Sequence, residues 1–395
     1  MPKSVIPSVS FSEFFYGDKV KFAHQLYYAW HKTGFVAVKD YNAGLTRGED
    51  IDLLRTKVDE AFLEFTKLPL DAKMKYHRPE TGGQRGYTPN GVEQSGGDGF
   101  REYREHFMVG PKIPEGHPIL QYQPFSYLPN QTVEEVPELV PLAERLLESL
   151  EDRDLHIFEA LAWSFGLRSD YFSRRIACGD SSLRLHHYPP IEGEILGTKT
   201  VKGVKTLIVK NKDGTVLENV VRAGRHTDVD FSAALLGAEV KGLFIENRDG
   251  VPIEYTTEKG CIVYNAGDFA QYETGGIFPS SPHWVELTPE TASQSRRSMV
   301  RFTHFRPRCD VKLIRGNIMT PEGYCKFGSN ALKKYPDTYE GVLLTKRLYE
   351  IGYLTESVRD SMVDAVLNKL KPDEIMEKEI VKWEQNNGIS KLSRY

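Results

Sequence analysis

The sequence predicts an α+β protein, with a β-rich middle between Ser182 and Phe305 and helical segments on either side of it. Three observations carry this reading. In the middle, short runs of β-branched and aromatic residues recur between Gly, Pro, Asn and Asp, the texture of a sandwich, jelly roll or barrel. Before and after it, apolar residues recur every three to four positions, the spacing of amphipathic helices. The chain has 395 residues with 40% hydrophobic content, enough to bury a real core.

In chain order, KVKFAHQLYYAWHKTG places Val20, Ala23, Leu26 and Ala29 at helical spacing and stops at Gly34. FVAVKD after it is a short strand. A second helix is expected over Ile51 to Leu68. A third is expected from about Pro137 to Leu167, with Leu139, Leu142, Leu146, Leu147 and Leu150 along its stripe. The strands expected in the middle are LRLHHY, KTLIVK, TVLENVV, SAALLG, GLFIEN, GCIVYN, HWVEL and MVRFTHF. Lys212-Asp213-Gly214 joins the second and third as a hairpin, because Asp-Gly readily supplies positive φ. Beyond Pro307 helices are expected near Thr338 to Ile351, Thr355 to Leu370 and Pro372 to Asn386, apolar enough to dock on a core.

Composition excludes several function classes. Fifty-one Lys and Arg stand against 55 Asp and Glu, so no global field gathers nucleic acid or an anionic membrane, and no basic run interleaves with aromatics. A small-molecule partner is expected; composition sets no oligomeric state. Cys178, Cys261, Cys309 and Cys325 form no CxxC and no regular framework, which points to a reducing compartment. The N-terminus lacks the apolar run of a signal peptide and no stretch reads as a membrane span, so a cytoplasmic location is expected. The ending Ser393-Arg394-Tyr395 departs from the peroxisomal Ser-Lys-Leu address at its last position and carries no weight.

The decisive residues are His226-Thr227-Asp228, followed by His283 after 55 positions (283 − 228). In a strand, residues i and i+2 point to one side, so the imidazole and the carboxylate converge. A second imidazole from a distant strand completes a facial triad of two His and one carboxylate, which suits Fe(II) and leaves coordination sites open for oxygen chemistry. One His-x-Asp alone is weak, and with 11 histidines it arises readily by chance. Its company raises its weight: Arg296 and Ser298 follow, again at i and i+2, in the strand-like RRSMVRF. A guanidinium fork with a hydroxyl beside it is a ready anchor for the far carboxylate of a dicarboxylic co-substrate.

The series Leu183-Arg-Leu-His-His-Tyr-Pro-Pro190, His226-Thr-Asp228, Gly267-Asp268, Ser281-Pro-His283 and Arg296-Arg-Ser298 resembles the isopenicillin N synthase-like family of Fe(II)/2-oxoglutarate dioxygenases. LPLDAKMKYHRP and RGYTPNG are similar to that family's helical entry region and substrate-side loop, so the likeness spans roughly residues 5 to 307. AGDFAQYETGG and SSPHWV are similar to the branch that contains the ethylene-forming enzyme. The resemblance implies a double-stranded β-helix (jelly roll) over 182–307 as the catalytic core, with an inserted hairpin at about 195–222. An N-terminal α/β region, 1–181, would pack on this core, and 308–395 would form a helical C-terminal extension. It further implies Fe(II) on His226, Asp228 and His283, and 2-oxoglutarate held by Arg296, Ser298 and Tyr188. O₂ would be the second co-substrate, ascorbate a candidate reductant, and succinate and CO₂ the co-products. The substrate would be a small metabolite, hydroxylated, desaturated or cyclised.

The chain departs from the family pattern in three places. His186-His187-Tyr188-Pro189 stands where the family commonly has Asn-Tyr-Tyr-Pro. The interval from His283 to Arg296, 13 positions (296 − 283), is longer than usual, as though TPETASQS were an enlarged turn. The segment between Pro190 and His226 carries the extra hairpin, expected as a lid. Strand alternation puts Arg184, His186 and Tyr188 on one face, which makes Arg184 and His186 candidates for binding a substrate or co-substrate carboxylate. Arg85, Tyr87, Arg101 and Tyr103 are further candidates at the substrate mouth, and the Arg and His together suggest a carboxylate-bearing substrate. His304 ranks below His283 as third ligand, and Asp268 reads as a turn residue. Because Asp228 is intact, the halogenase variant is disfavoured. Two alternatives stay open: an oxidase that uses the triad without 2-oxoglutarate, and a ligand-binding jelly roll without turnover.

Overall fold

Helices form at the N-terminal end where apolar periodicity and capping residues coincide. The computed structural model describes residues 6–391 apart from 45–48, 94–98, 124–125, 238–240, 257, 259, 315–317, 322 and 326–332. The tripeptide 393–395 lies outside the described residues. Strand β1 (Ser8–Ser10) leads into α1 (Phe11–Tyr16), α2 (Lys19–Thr33) and β2 (Phe35–Lys39). Asp18 caps α2 by accepting from the Val20 and Lys21 amides, and Gly34 ends it in the left-handed conformation at φ 70°. The buried stripe runs from Phe22 through Ala23, Leu26, Tyr27, Ala29 and Trp30. Val20, expected on that stripe, is 61% exposed instead, because the first turn precedes the packed face.

Next come α3 (Ile51–Lys67), capped by Asp50, then α4 (Leu70–Met74), β3 (Gly86–Thr88), β4 (Arg101–Glu102), β5 (Glu105–Val109) and the long α5 (Leu139–Ser164). Helices α2, α3 and α5 pack together and bury one aromatic and aliphatic core, including Trp30, Leu54, Phe62, Leu146 and Phe158. Burying each such side chain fully contributes about 1.5–3 kcal/mol.

The middle of the chain supplies β6 (Ser182–Tyr188), β7 (Glu194–Val201), β8 (Val204–Lys210), β9 (Val216–Val221), β10 (Ala223–His226), β11 (Ser232–Leu236), β12 (Leu243–Glu246), β13 (Pro252–Tyr255), β14 (Cys261–Ala266), β15 (His283–Val285) and β16 (Arg296–Thr303). Every strand read from the sequence is present. β7 was not foreseen: it alternates between exposed and half-buried positions at a sheet edge, so its apolar signal is weak.

Two sheets make the jelly roll. The larger runs β1-β2-β14-β11-β16-β6-β5-β3, so strands from the first hundred residues and from the middle share one sheet. The smaller runs β10-β15-β12-β13. A third sheet, β4-β9-β8-β7, contains the inserted hairpin, whose turn closes through Asn211 and Thr215 with Gly214 at φ 89°. It packs Leu207, Val209 and Val220 against Leu287 and Ala292, in the loop before β16. No described residue between 189 and 222 lines the central cavity. The lid expectation is therefore corrected: the hairpin buttresses the β15–β16 loop from outside.

The tail forms helices Glu340–Glu350, Glu356–Asp364 (continuing through a wider turn at Ala365–Lys369) and Asp373–Asn387. Its last helix docks through buried Met376 and Ile380 on Ile119, Tyr122 and Tyr127. Buried Arg306 adds paired bonds to Asp373 and bonds to the carbonyls of Arg174 and Ala177.

Candidate active site

His226 is the last residue of β10 and His283 the first of β15, and the two are direct partners across that antiparallel ladder. The ladder is irregular between Ala223 and His226, where three residues of β10 span two of β15. This extra residue re-aims the end of the strand. The two rings end with centroids 4.4 Å apart. Asp228 lies just past the strand, with Oδ1 3.7 Å from His226 Nε2 and Oδ2 3.7 Å from His283 Nε2. One ligand atom from each residue lies within 4.8 Å of the others, close enough to share one ion.

The surroundings fit a metal. His226 Nδ1 donates to the Gly224 carbonyl over 2.7 Å, and His283 Nδ1 faces the Ser281 carbonyl at 3.3 Å. A carbonyl only accepts, so the proton sits on Nδ1 and the Nε2 lone pair of each ring faces the cluster. Asn265 is fixed by accepting from the Ala233 amide at Oδ1, and its Nδ2 donates to Asp228 Oδ2 over 2.7 Å. Burial pushes the His226 imidazolium down to about 3, helped by His283, so the ring is neutral. Burial opposes ionisation of Asp228, but the two imidazoles and Asn265 hold it below the usual carboxylate range. Two imidazoles and one carboxylate with free faces are the donor set that divalent iron takes. At Gly267 a Cβ would meet Asp230 Oδ1 at 2.0 Å, so only glycine lets the chain pass here and place the Asp268 amide on the Asp228 carbonyl. Asp268 opens a short helix, Asp268–Glu273, and Thr227 donates to it at 3.4 Å.

The cavity at this cluster lies between the two sheets. Across β16 and β6, Arg296 pairs with Tyr188, Ser298 with His186 and Val300 with Arg184, and all six line it. Arg296 Nη1 donates to Ser298 Oγ over 3.2 Å, and its guanidinium carbon lies 5.0 Å from the Tyr188 ring centre. Arg297 points to the other face, in a paired contact with Asp59 at 2.9 and 2.8 Å. His304 also lines the cavity, but its Nδ1 bonds Glu340 at 3.0 Å and it stays outside the cluster of three.

Of the other sequence candidates, Arg184 and His186 line the cavity, whereas Arg85, Tyr87, Arg101 and Tyr103 do not. Arg85 is buried against Asp180 at 2.5 Å and the carbonyls of Leu128 and Gln84, a structural tie. The Tyr87 hydroxyl bonds Glu105 at 2.5 Å and its ring packs on Phe65. Arg101 is exposed on the third sheet, and Tyr103 packs beside the hairpin. These positions are removed from the mouth because β3 and β5 carry them to the outer edge of the large sheet and β4 to the third sheet.

Sequence reasoning missed the acidic half of the cavity. Glu93, 4% exposed, accepts from Arg184 at 3.0 Å and Tyr353 at 2.9 Å, and pairs with Arg104 at 3.2 Å. Arg104 also pairs with Glu102 at 2.7 Å. Burial opposes ionisation of Glu93, yet Arg184 and then Arg104 hold its pKa well below the ordinary range. Burial, then the same arginines, push His106 and His186 well below theirs, so both are neutral. Arg184 and Arg104 are thus each paired with a buried carboxylate. Glu93 lies in a polar stretch whose partners come from β6 and the tail, so no local pattern marks it. The tail also lines the cavity, through Leu344, Arg347, Leu348 and Ile351.

Comparison with known proteins adds the following. Residues 6–135 match the family model for the N-terminal region of non-haem dioxygenases in morphine synthesis, and residues 179–305 match the 2OG-Fe(II) oxygenase superfamily. A "Probable iron/ascorbate oxidoreductase" of Dictyostelium discoideum is 28% identical over 280 residues, 68% of this chain and 72% of that protein. A 2-oxoglutarate-dependent dioxygenase of Aspergillus rugulosus is 27% identical over 330 residues, 75% of this chain and 86% of that one. The crystal structure of a 2OG-Fe(II) oxygenase family protein from Caulobacter crescentus superposes with TM-score 0.69 at 28% identity, covering 88% of this chain and 99% of that chain. The matches do not single out the isopenicillin N synthase-like branch. Among the described residues, no helix is long and apolar enough to cross a membrane.

Proposed function

We propose, from the premise that this chain belongs to the 2OG-Fe(II) oxygenase superfamily and is an Fe(II)- and 2-oxoglutarate-dependent dioxygenase, specific roles for its residues. His226, Asp228 and His283 hold the iron; Arg296 and Ser298, with Tyr188 beside them, hold the distal carboxylate of 2-oxoglutarate. The bound iron supplies what no side chain can, oxidation by O₂ coupled to decarboxylation of 2-oxoglutarate to succinate and CO₂.

The protein's part is to bind, orient and exclude water. The carbonyls of Gly224 and Ser281 engage Nδ1 of each ring and turn Nε2 towards the metal, and Asn265 holds Asp228 in place. Arg296 sits 3% exposed, where a carboxylate gains a charge-assisted bond in a dry setting. Phe35, Val263, Leu243, Val285 and Leu235 wall the cavity with apolar surface and keep bulk water from the reacting centre. Residues 182–307 serve as the catalytic core by carrying the proposed iron and 2-oxoglutarate ligands, the described residues before 182 complete the large sheet and pack helices on it, and those after 307 add helices that close one side of the cavity.

The substrate we assign is a small, uncharged metabolite with hydrogen-bonding groups, oxidised by hydroxylation, desaturation or cyclisation. Neutralisation of Arg184 and Arg104 by Glu93 and Glu102 supports this, because a further anion would find no spare charge there. His186 lines the cavity, and among the described residues neither ring nitrogen has a protein hydrogen bond, which leaves it for substrate.

The observation that carries the reading is the convergence of two Nε2 atoms and one carboxylate beside a buried Arg-Ser pair. The test is an anaerobic titration of Fe(II) and 2-oxoglutarate into apoprotein, followed through the visible charge-transfer band of the chelate. A panel of neutral and anionic substrates scored by succinate release follows. No band under any condition overturns the site assignment; turnover of substrate without succinate favours the oxidase alternative.

A further inference from the structure

Arg222 occupies the junction between β9 and β10, four residues before His226, and is 1% exposed. Its Nη2 donates to the carbonyls of Thr291 and Gln294, at 2.9 and 2.7 Å. Those two residues belong to the enlarged loop that delivers Arg296 at the start of β16. Among the described residues its Nε and Nη1 have no hydrogen-bond partner, and no ion pair joins it to a carboxylate. A buried guanidinium with two idle donors and no counter-ion is costly unless an anion arrives to match it.

The charge that does act on Arg222 is that of Arg296. Burial first, and Arg296 second, push the Arg222 guanidinium down to about 10, while Tyr188 opposes them. Tyr188 lies under the Arg296 guanidinium, 5.0 Å from ring centre to guanidinium carbon. Arg296 lines the cavity, and Arg222, outside the lining, is tied to the loop two residues before it, so a ligand with a full negative charge at Arg296 would meet a second buried cation beyond the first.

We propose that Arg222 is a specificity-determining residue of the co-substrate pocket, adding a second positive charge behind Arg296 that selects 2-oxo acids with a distal carboxylate over those without one. This rests on the assignment of Arg296 and Ser298 as the distal-carboxylate anchor. Holding the Thr291–Gln294 loop is its second task, and the two can be separated. Arg222→Gln keeps an amide donor for the carbonyls and loses the charge; Arg222→Lys keeps the charge.

The measurement is anaerobic binding to the Fe(II)-loaded protein of 2-oxoglutarate and of 2-oxopentanoate, which has the same chelating head and no distal carboxylate. For Arg222→Gln, the dissociation constant for 2-oxoglutarate should rise roughly tenfold or more, that for 2-oxopentanoate should not change, and Arg222→Lys should recover most of the loss. The melting temperature of the ligand-free protein should hold or rise in Arg222→Gln, while the upward shift given by 2-oxoglutarate shrinks. Equal weakening of both acids, no weakening of either, or a lower ligand-free melting temperature with the full 2-oxoglutarate shift retained would each overturn the proposal. Arg296→Ala is the control: if it discriminates between the two acids and Arg222→Gln does not, only this inference fails. If Arg296→Ala does not discriminate, the anchor assignment itself is wrong.

Discussion

Asn265 donates to Asp228 across 2.7 Å, from the strand beside β11 to a residue just past the end of β10, and thereby ties the large sheet to the small one at the proposed iron site. A carboxylate fixed this way has one oxygen engaged and the other free to turn to the metal. Asn265→Leu should weaken Fe(II) affinity by about 10–100-fold, the usual cost of losing an outer-shell partner. Metal titration with a competing chelator reads it; unchanged affinity would mean that Asp228 is not a ligand.

His226→Ala or Asp228→Ala should abolish metal binding and succinate formation while leaving far-ultraviolet circular dichroism intact. The residues sit at the edge of the small sheet and carry little of the core. A variant with full activity ends the metal assignment.

Arg296→Ala should raise the 2-oxoglutarate requirement by an amount equivalent to roughly 2–5 kcal/mol, because a buried carboxylate loses its partner. Arg297→Ala should not, since Arg297 turns outward to Asp59. The pair of KM values decides between neighbouring arginines.

Arg306→Met should release the last helix. The guanidinium is fully buried and serves Asp373, Glu377 and two carbonyls, so its loss leaves Asp373 and those carbonyls without partners, at about 3–5 kcal/mol. Hydrogen exchange over residues 373–387 should accelerate far more than over α5; equal protection would contradict the docking described.

The same helix should loosen in acid. His117 meets Trp383 edge to face and accepts from the Ile119 amide, and burial pushes its pKa down to about 4. In the unfolded chain an imidazole takes its proton near pH 6.5. Folding is thus fully favoured above that pH and loses stability as the pH falls from 6.5 towards 4, by on the order of 2 kcal/mol. His117→Phe should flatten this dependence in hydrogen exchange of the Trp383 helix.

Much of this was written in the sequence, and the reason is local. Helix and strand periods, the Asp-Gly turn and the i, i+2 spacing of Arg296 and Ser298 depend on neighbours a few residues apart, so the chain itself states them. The three candidate metal ligands were legible for the same reason, as residue types suited to one ion, and their side chains lie together. The cause of their geometry was not: strand alternation suggested that His226 and Asp228 converge, but β10 ends at His226, and an irregular register against β15 aims the ring at His283.

Long-range packing decided the rest. Arg184 looked like an anion binder until Glu93, 91 residues away, neutralised it, and Tyr353 of the tail reached the same carboxylate. Arg85 and Tyr87 left the mouth because their partners, Asp180 and Glu105, hold them elsewhere. The sequence by itself determined which chemistry this protein can host, since ligand types and secondary-structure periods are properties of the residues and their near neighbours. Only the tertiary structure decided which charges remain uncompensated in the cavity, because electrostatic pairing in a buried site depends on distances that no local spacing encodes.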